Sequence, residues 1–275
     1  MMADSNVDSL FDQSGRRIPF EGMRVFNLIS LKFYKIKQPQ LSFKSILNRS
    51  KKYLGVSENI SENSLKIACD KIKREVSADS ALGGLFNGVH VPFICPKDSQ
   101  EKDLGFELET KNLPSVESSF KSEYPNLHFK KTFNGDFGMR GNLSLAEGSR
   151  YENLIQSRKK SSLAGWYFPQ ALQEYDIPSQ RKQMDTLPFF DNLILSGIVD
   201  VSAALVGSPG LLINKDSYPP VLCLPAIEHK DRGITLCYKA YGLHLEFWCM
   251  SMMLTPSITQ VSEQWTGGLS IFTSL

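Results

Sequence analysis

The stretch Gly233-Ile-Thr-Leu-Cys-Tyr-Lys-Ala-Tyr-Gly-Leu-His-Leu-Glu-Phe-Trp-Cys-Met250 decides the fold class. Ile234, Leu236 and Tyr238 share one side of an extended chain, as do Leu243, Leu245 and Phe247 beyond Gly242. Side chains alternate with period two along a strand, so this pattern predicts two adjacent strands turning at Gly242. Residues 61–76 carry a different period. Leu65, Ala68, Cys69, Ile72 and Val76 recur at helical spacing, with Lys66, Asp70, Lys73, Arg74 and Glu75 on the wet side. Ser61 or Ser64 supplies the cap, Glu62 suits the first turn, and Gly83-Gly84 stops the helix. A hairpin and a helix, with no regular βαβ alternation, predict an α+β fold: a strand-rich mixed or antiparallel sheet with two or three helices.

Working outward, residues 25–37 read as a strand with Val25, Ile29, Leu31 and Phe33 on one face, ended by Pro39. Residues 41–54 read as a short amphipathic helix closed by Gly55. Between residues 89 and 133 the apolar runs are short and split by Pro92, Pro96, Pro114 and Pro125, which predicts strands and loops. Residues 149–164 are a further helical candidate, with Tyr151, Leu154, Ile155 and Leu163 inward and Arg158, Lys159 and Lys160 outward. The longest apolar stretch, residues 193–213, is interrupted by Asp200 and Pro209. A spanning helix needs about 20 mainly apolar residues, so this one is expected in the core and no membrane span is expected. The expected organisation is a flexible arm at residues 1–21, a basic α+β region at 22–168, a polar connector at 169–187, and a β-rich region at 188–275 packed on the same core.

The 275 residues are 41% hydrophobic and 22% charged, which excludes a wholly disordered chain, a collagen and a coiled coil. Cys69, Cys95, Cys223, Cys237 and Cys249 form no Cys-x-x-Cys pair, and His90, His128, His229 and His244 add no zinc spacing. The cysteines are therefore expected reduced and core-filling. The polar, acid-containing first twenty residues lack a signal-peptide pattern, so an intracellular, soluble or membrane-peripheral protein is expected.

The net charge of +2 hides an uneven distribution. Residues 22–57 contain no acid, but hold Arg24, Lys32, Lys35, Lys37, Lys44, Arg49, Lys51 and Lys52, interleaved with Phe26, Phe33, Tyr34, Phe43 and Tyr53. Such a face attracts an anionic partner, whether nucleic acid, an acidic membrane surface or a protein, and Tyr34 or Tyr53 suits stacking on a base.

The second pattern is Pro96-Lys-Asp98 followed by Asp103-Leu-Gly-Phe-Glu107-Leu-Glu109-Thr-Lys111. Read as a strand, it aligns Glu109 and Lys111 on one face, with Asp98 or Asp103 at its end. Two carboxylates can hold Mg²⁺ and a lysine can polarise the attacking water. The stretch resembles the PD-(D/E)xK motif of type II restriction enzymes and mismatch-repair endonucleases. That resemblance implies Asp98, Asp103 and Glu109 as metal ligands and Asp103, Glu109 and Lys111 as catalytic residues. It departs where that group has lysine and this chain has Glu109, which leaves Glu107 or Glu109 as the ligand. Tyr124-Pro-Asn-Leu127 and Tyr218-Pro-Pro-Val-Leu222 resemble the YPxL late-domain peptides of viral matrix and Gag proteins. Glu228, His229, Asp231 and His244 form a loose group, with His244 and Glu246 expected on the outward face of a strand. The leading reading is a non-enzymatic interaction or assembly protein with a basic N-terminal face, matrix-like in one version and compatible with an oligomer. The alternative is a Mg²⁺-dependent nuclease.

Overall fold

The computed structural model describes residues 9–25, 33–100, 103–132, 138–214, 216–242, 244–255, 258–259 and 262–275. It is an α+β fold built on one large mixed sheet. The elements that matter for function are α1 (Phe43–Leu54), α2 (Glu62–Ala78), β1 (Val91–Cys95), α3 (Leu104–Glu107), a π-turn (Leu108–Asn112), α4 (Leu113–Glu123), β2 (His128–Thr132), β3 (Leu143–Leu145) and α5 (Tyr151–Lys160). They continue as β4 (Leu163–Gln173), α6 (Ile177–Lys182), β5 (Leu193–Leu195), α7 (Ile198–Gly207), β6 (Val221–Cys223), β7 (Ile227–His229), β8 (Ile234–Tyr241) and β9 (His244–Ser251). Then come β10 (Met253–Thr255), β11 (Ile258–Thr259) and β12 (Trp265–Ser274).

The sheet runs β1-β4-β12-β6-β8-β9-β2, with β5 also paired to β12. The β12–β6 and β9–β2 pairings are parallel and the others antiparallel. The two strands from the first half of the chain, β1 and β2, stand at opposite ends of this order with later strands between them, and the main core extends from Phe11 to Phe272. The wholly buried α7 packs against β1, α1 and α4.

The hairpin forms as expected: β8 pairs with β9 from Ile234↔Ser251 to Tyr241↔His244, and Leu236, Tyr238, Leu245 and Phe247 are buried. The two N-terminal helices form as well. Ser42 caps α1, and Gly55 ends it at φ 75, a left-handed conformation that glycine adopts without steric cost. Ser61 and Ser64 make a reciprocal capping box on α2, but that helix ends at Asp79, short of Gly83.

Four expectations give way. Residues 104–123 are helical rather than strands and loops. Asp103 caps this segment by accepting the Phe106 N–H, Pro114 sits in the first turn of α4 where no N–H is needed, and Leu108, Leu113, Val116 and Phe120 are buried at helical spacing. With this addition helix outweighs strand among the described residues, the reverse of the expected balance. Residues 169–187 are no polar connector: residues 169–173 finish the buried strand β4, and α6 follows, capped by Asp176. Within the described part of the N-terminal arm, Phe11, Arg16 and Arg17 are buried, and Arg16 faces the buried Glu174 at 2.7 Å. The expected strand at 25–37 lies partly outside the described residues. Its described ends make only single bridges, Val25 to Tyr175 and Tyr34 to Tyr218.

Candidate functional site

The basic block is dispersed by its own fold. Lys37 pairs with Asp216, Arg49 lies 2.5 Å from Glu123, and Lys51 reaches both the carboxylate and the carbonyl of Glu58. Arg24 is 3.9 Å from Asp176. Lys32 lies outside the described residues. Lys35, Lys44 and Lys52 are exposed and have no ion pair among the described residues. Lys35 donates its backbone N–H to the carbonyl of Tyr218, a residue that is 74% exposed. The Tyr34 and Tyr218 rings are 6.4 Å apart. Tyr218 therefore joins the basic segment through the fold, although the two lie far apart in the chain. Lys52 lies over the half-buried Tyr53 ring.

The nuclease-like residues separate into two groups. Asp98 meets Lys111 at 3.5 Å and Arg158 at 3.2 Å, and Glu107 meets the same Arg158 nitrogen at 2.7 Å. Arg158, expected outward on α5, is buried, because its guanidinium links the end of β1 to the 104–123 helix. Burial works against the Arg158 charge, but Glu107 and then Asp98 hold its pKa above the ordinary arginine value. Among the described residues, two carboxylates thus meet two basic side chains. A cavity of about 200 Å³ opens beside it, lined by Asp98, Glu107, Arg158, Glu152 and Gln156.

Asp103 and Glu109 do a different task. Asp103 accepts the Phe106 and Gly141 N–H groups, and Glu109 accepts the Met139 N–H and the Arg140 Nε–H. Together they clamp residues 139–141 onto the helix. Gly105 permits the approach, since a Cβ there would stand 1.8 Å from the Met139 carbonyl oxygen. The Asp-Leu-Gly-Phe-Glu-x-Glu wording is thus a helix start with a docked loop. Among the described residues, no three His, Cys, Asp or Glu side chains gather as a metal-holding group.

Sequence reasoning treated Asp200 only as an interruption in an apolar run. Its side chain is fully buried and accepts from Tyr151, Ser270 and the Gly197 N–H. Burial pushes this carboxyl up to about 6, against the pull of those hydrogen bonds, and pushes the Tyr151 hydroxyl well above its ordinary value. No local periodicity marks such a group. The available signal was an acid inside an otherwise apolar segment, which requires hydrogen-bond partners wherever it is buried.

The two Tyr-Pro segments are not free extended peptides. Tyr124 ends α4 and its carbonyl accepts the Leu127 N–H in a turn, while residues 221–222 lie in the buried strand β6. His244 is placed on β9, its ring 5.3 Å from His128 on β2, away from a separate pairing of His229 with the Asp231 N–H. The cysteines are unpaired, and all but Cys249 are buried. No helix among the described residues is long and apolar enough to cross a membrane. No protein-family model, curated protein or solved structure matches this chain.

Proposed function

We propose that this protein is a non-enzymatic interaction protein that binds an anionic polymer through its N-terminal basic segment, with single-stranded nucleic acid as the favoured partner. The observation that carries the reading is the backbone pairing of the Tyr34-Lys35 segment with Tyr218, which sets the two tyrosine rings 6.4 Å apart next to an exposed lysine in the chain. Two neighbouring aromatic rings on a segment that also carries an exposed lysine match the chemistry of unstacked bases on a phosphate backbone. Lys44 and Lys52 add exposed charge on α1. The pairing of Lys37, Arg49 and Lys51 with Asp216, Glu123 and Glu58 narrows the binding set to fewer lysines than the block contains. The Tyr-Pro segments lend no support to a matrix-like version.

The Mg²⁺-dependent nuclease has less behind it. The carboxylates of its motif are already occupied by lysine, arginine or backbone N–H groups. Binding of a single-stranded oligonucleotide of about 20 nucleotides, followed by fluorescence anisotropy, tests the first reading. Its affinity should fall steeply with salt and should drop about tenfold or more in the triple variant Lys35→Glu, Lys44→Glu, Lys52→Glu. Salt-insensitive or absent binding overturns it. Stronger binding to phosphatidylserine vesicles than to the oligonucleotide would move the assignment to a membrane surface.

A further inference from the structure

Two of the cysteines stand directly opposite each other across the antiparallel pair β6–β8, where the register sets Cys223 against Cys237. Leu222, Leu224, Leu236 and Tyr238, which alternate with them, belong to the main core. Cys223 and Cys237 point to the other face of the sheet, where they join Val221 and Trp265 in a second, smaller apolar cluster. Their thiols therefore share one side of the sheet.

The hydrogen bonding fixes how close they come. The Leu224 N–H donates to the Leu236 carbonyl at 2.9 Å, which marks Leu224 and Leu236 as a hydrogen-bonded pair of the ladder. Such pairs alternate with non-hydrogen-bonded ones, so Cys223 and Cys237 occupy a non-hydrogen-bonded position. Opposite Cα atoms there stand about 4.5 Å apart with their side chains at closest approach, inside the roughly 4.4–6.8 Å that a disulfide spans. The other thiols are held elsewhere. Cys249 pairs in register with Leu236 and packs against the main core, Cys69 lies on α2 and Cys95 on β1.

The position matters to the sheet. In the strand order, β8, β9 and β2 reach the remaining strands through β6. Among the described residues, only Leu222↔Tyr238 and Cys223↔Cys237 join β6 to β8 in register, whereas β8 and β9 pair from Ile234 to Tyr241. The cysteines thus sit on the shortest seam of the sheet. The cluster around them is thin as well: Met252 is buried, but Trp248, Met250 and Met253, which pack against it, are only half-buried.

We propose that Cys223 and Cys237 are a redox modification site, joined by a small peroxide into a reversible cross-strand disulfide that staples β6 to β8. One thiol, as its thiolate, attacks a peroxide oxygen. The O–O bond breaks, leaving a sulfenic acid and, after protonation, one water. The second thiol then attacks that sulfur, its proton leaves with the hydroxyl as a second water, and the S–S bond forms. The two thiols have lost two protons and two electrons, and one hydrogen peroxide has become two waters. Burial pushes both thiols above their ordinary pKa, so the reaction is slow compared with that of an exposed thiolate.

Mass spectrometry tests this on native protein treated with hydrogen peroxide, alkylated in denaturant and digested without reduction. A peptide pair linked through Cys223 and Cys237 is expected, and dithiothreitol should restore both thiols. Sulfoxides on Met250 and Met253 add oxygen, whereas the link removes two hydrogens, so mass separates the two outcomes. The link should form equally well in Cys249→Ser. In the oxidised protein the amides of residues 222–224 and 236–238 should exchange about tenfold more slowly than in the reduced form. The proposal is overturned if both thiols remain alkylatable, if they end as sulfinic or sulfonic acids, if Cys249 is the main partner of either, or if exchange across the seam does not slow.

Discussion

Asp98 and Glu107 on one side, and Lys35, Lys44 and Lys52 on the other, occupy opposite electrostatic environments. Asp98 and Glu107 are turned inward against Arg158, with side chains 10% and 8% exposed, whereas Lys35, Lys44 and Lys52 stand in water. In low-dielectric surroundings every ion must be matched, so the inward set becomes a closed network. Water tolerates an unmatched lysine, so the outward set stays available to a partner. Whether a charge can act on another molecule thus depends on what the fold has already given it.

The largest effect should come from breaking the inward network. Arg158→Ala leaves Asp98 and Glu107 facing each other without their shared cation, and should lower the unfolding free energy by about 3–5 kcal/mol in urea titrations. A loss below about 1 kcal/mol would show the network to be solvated in solution.

A buried acid with no cationic partner among the described residues should respond to pH instead. Asp200 is raised from 3.8 to about 6, so the native state binds its proton more tightly than the unfolded chain does. The stabilisation from this proton is complete below the unfolded value and is lost as pH rises through the folded one, a change of about 3 kcal/mol between roughly pH 4 and 7. Asp200→Asn should flatten that part of the stability curve, and an unchanged curve would remove Asp200 as its source.

Gly105→Ala probes the docked loop. Its new methyl meets the Met139 carbonyl, so a destabilisation of about 1–3 kcal/mol and faster amide exchange at residues 139–141 are expected. Exchange rates equal to wild type would show the clamp to be dispensable.

The smallest stability effect belongs to the outward set. Replacing Lys35, Lys44 and Lys52 by glutamate should shift the unfolding free energy by no more than about 0.5 kcal/mol. The slope of log affinity against log salt for single-stranded nucleic acid should meanwhile fall by about 2, near 0.7 per lost phosphate contact. A large stability loss would mean these lysines have internal partners.

Much of the framework was legible locally. The β8–β9 alternation, the spacing of Leu65, Cys69, Ile72 and Val76, and the Gly55 stop each express a short-range rule, and each element formed. The 104–123 helix was not legible because two signals conflicted. Glu107, Glu109 and Lys111 alternate like a strand, while Leu108, Leu113, Val116 and Phe120 follow a helix, and the buried apolar side prevailed. Pro114 looked like a break but fits the first turn of α4. Of the candidate sites, the residue types were visible and their partners were not. Nothing near Arg158 in the chain announces Glu107, and nothing near Lys35 announces Tyr218.

By itself the sequence determined the α+β class, the hairpin, the two capped N-terminal helices and an apolar interior at residues 193–213, since these follow from periodicity, caps and composition over a few turns of chain. Only the tertiary structure decided which charges are spent and which are free. It placed Arg158 between Asp98 and Glu107, closed a hydrogen-bonded shell around Asp200, and left the His229 Nε2–H facing no acceptor. Those outcomes depend on contacts between residues tens of positions apart, and on the cost of burying a polar group, which no local pattern records.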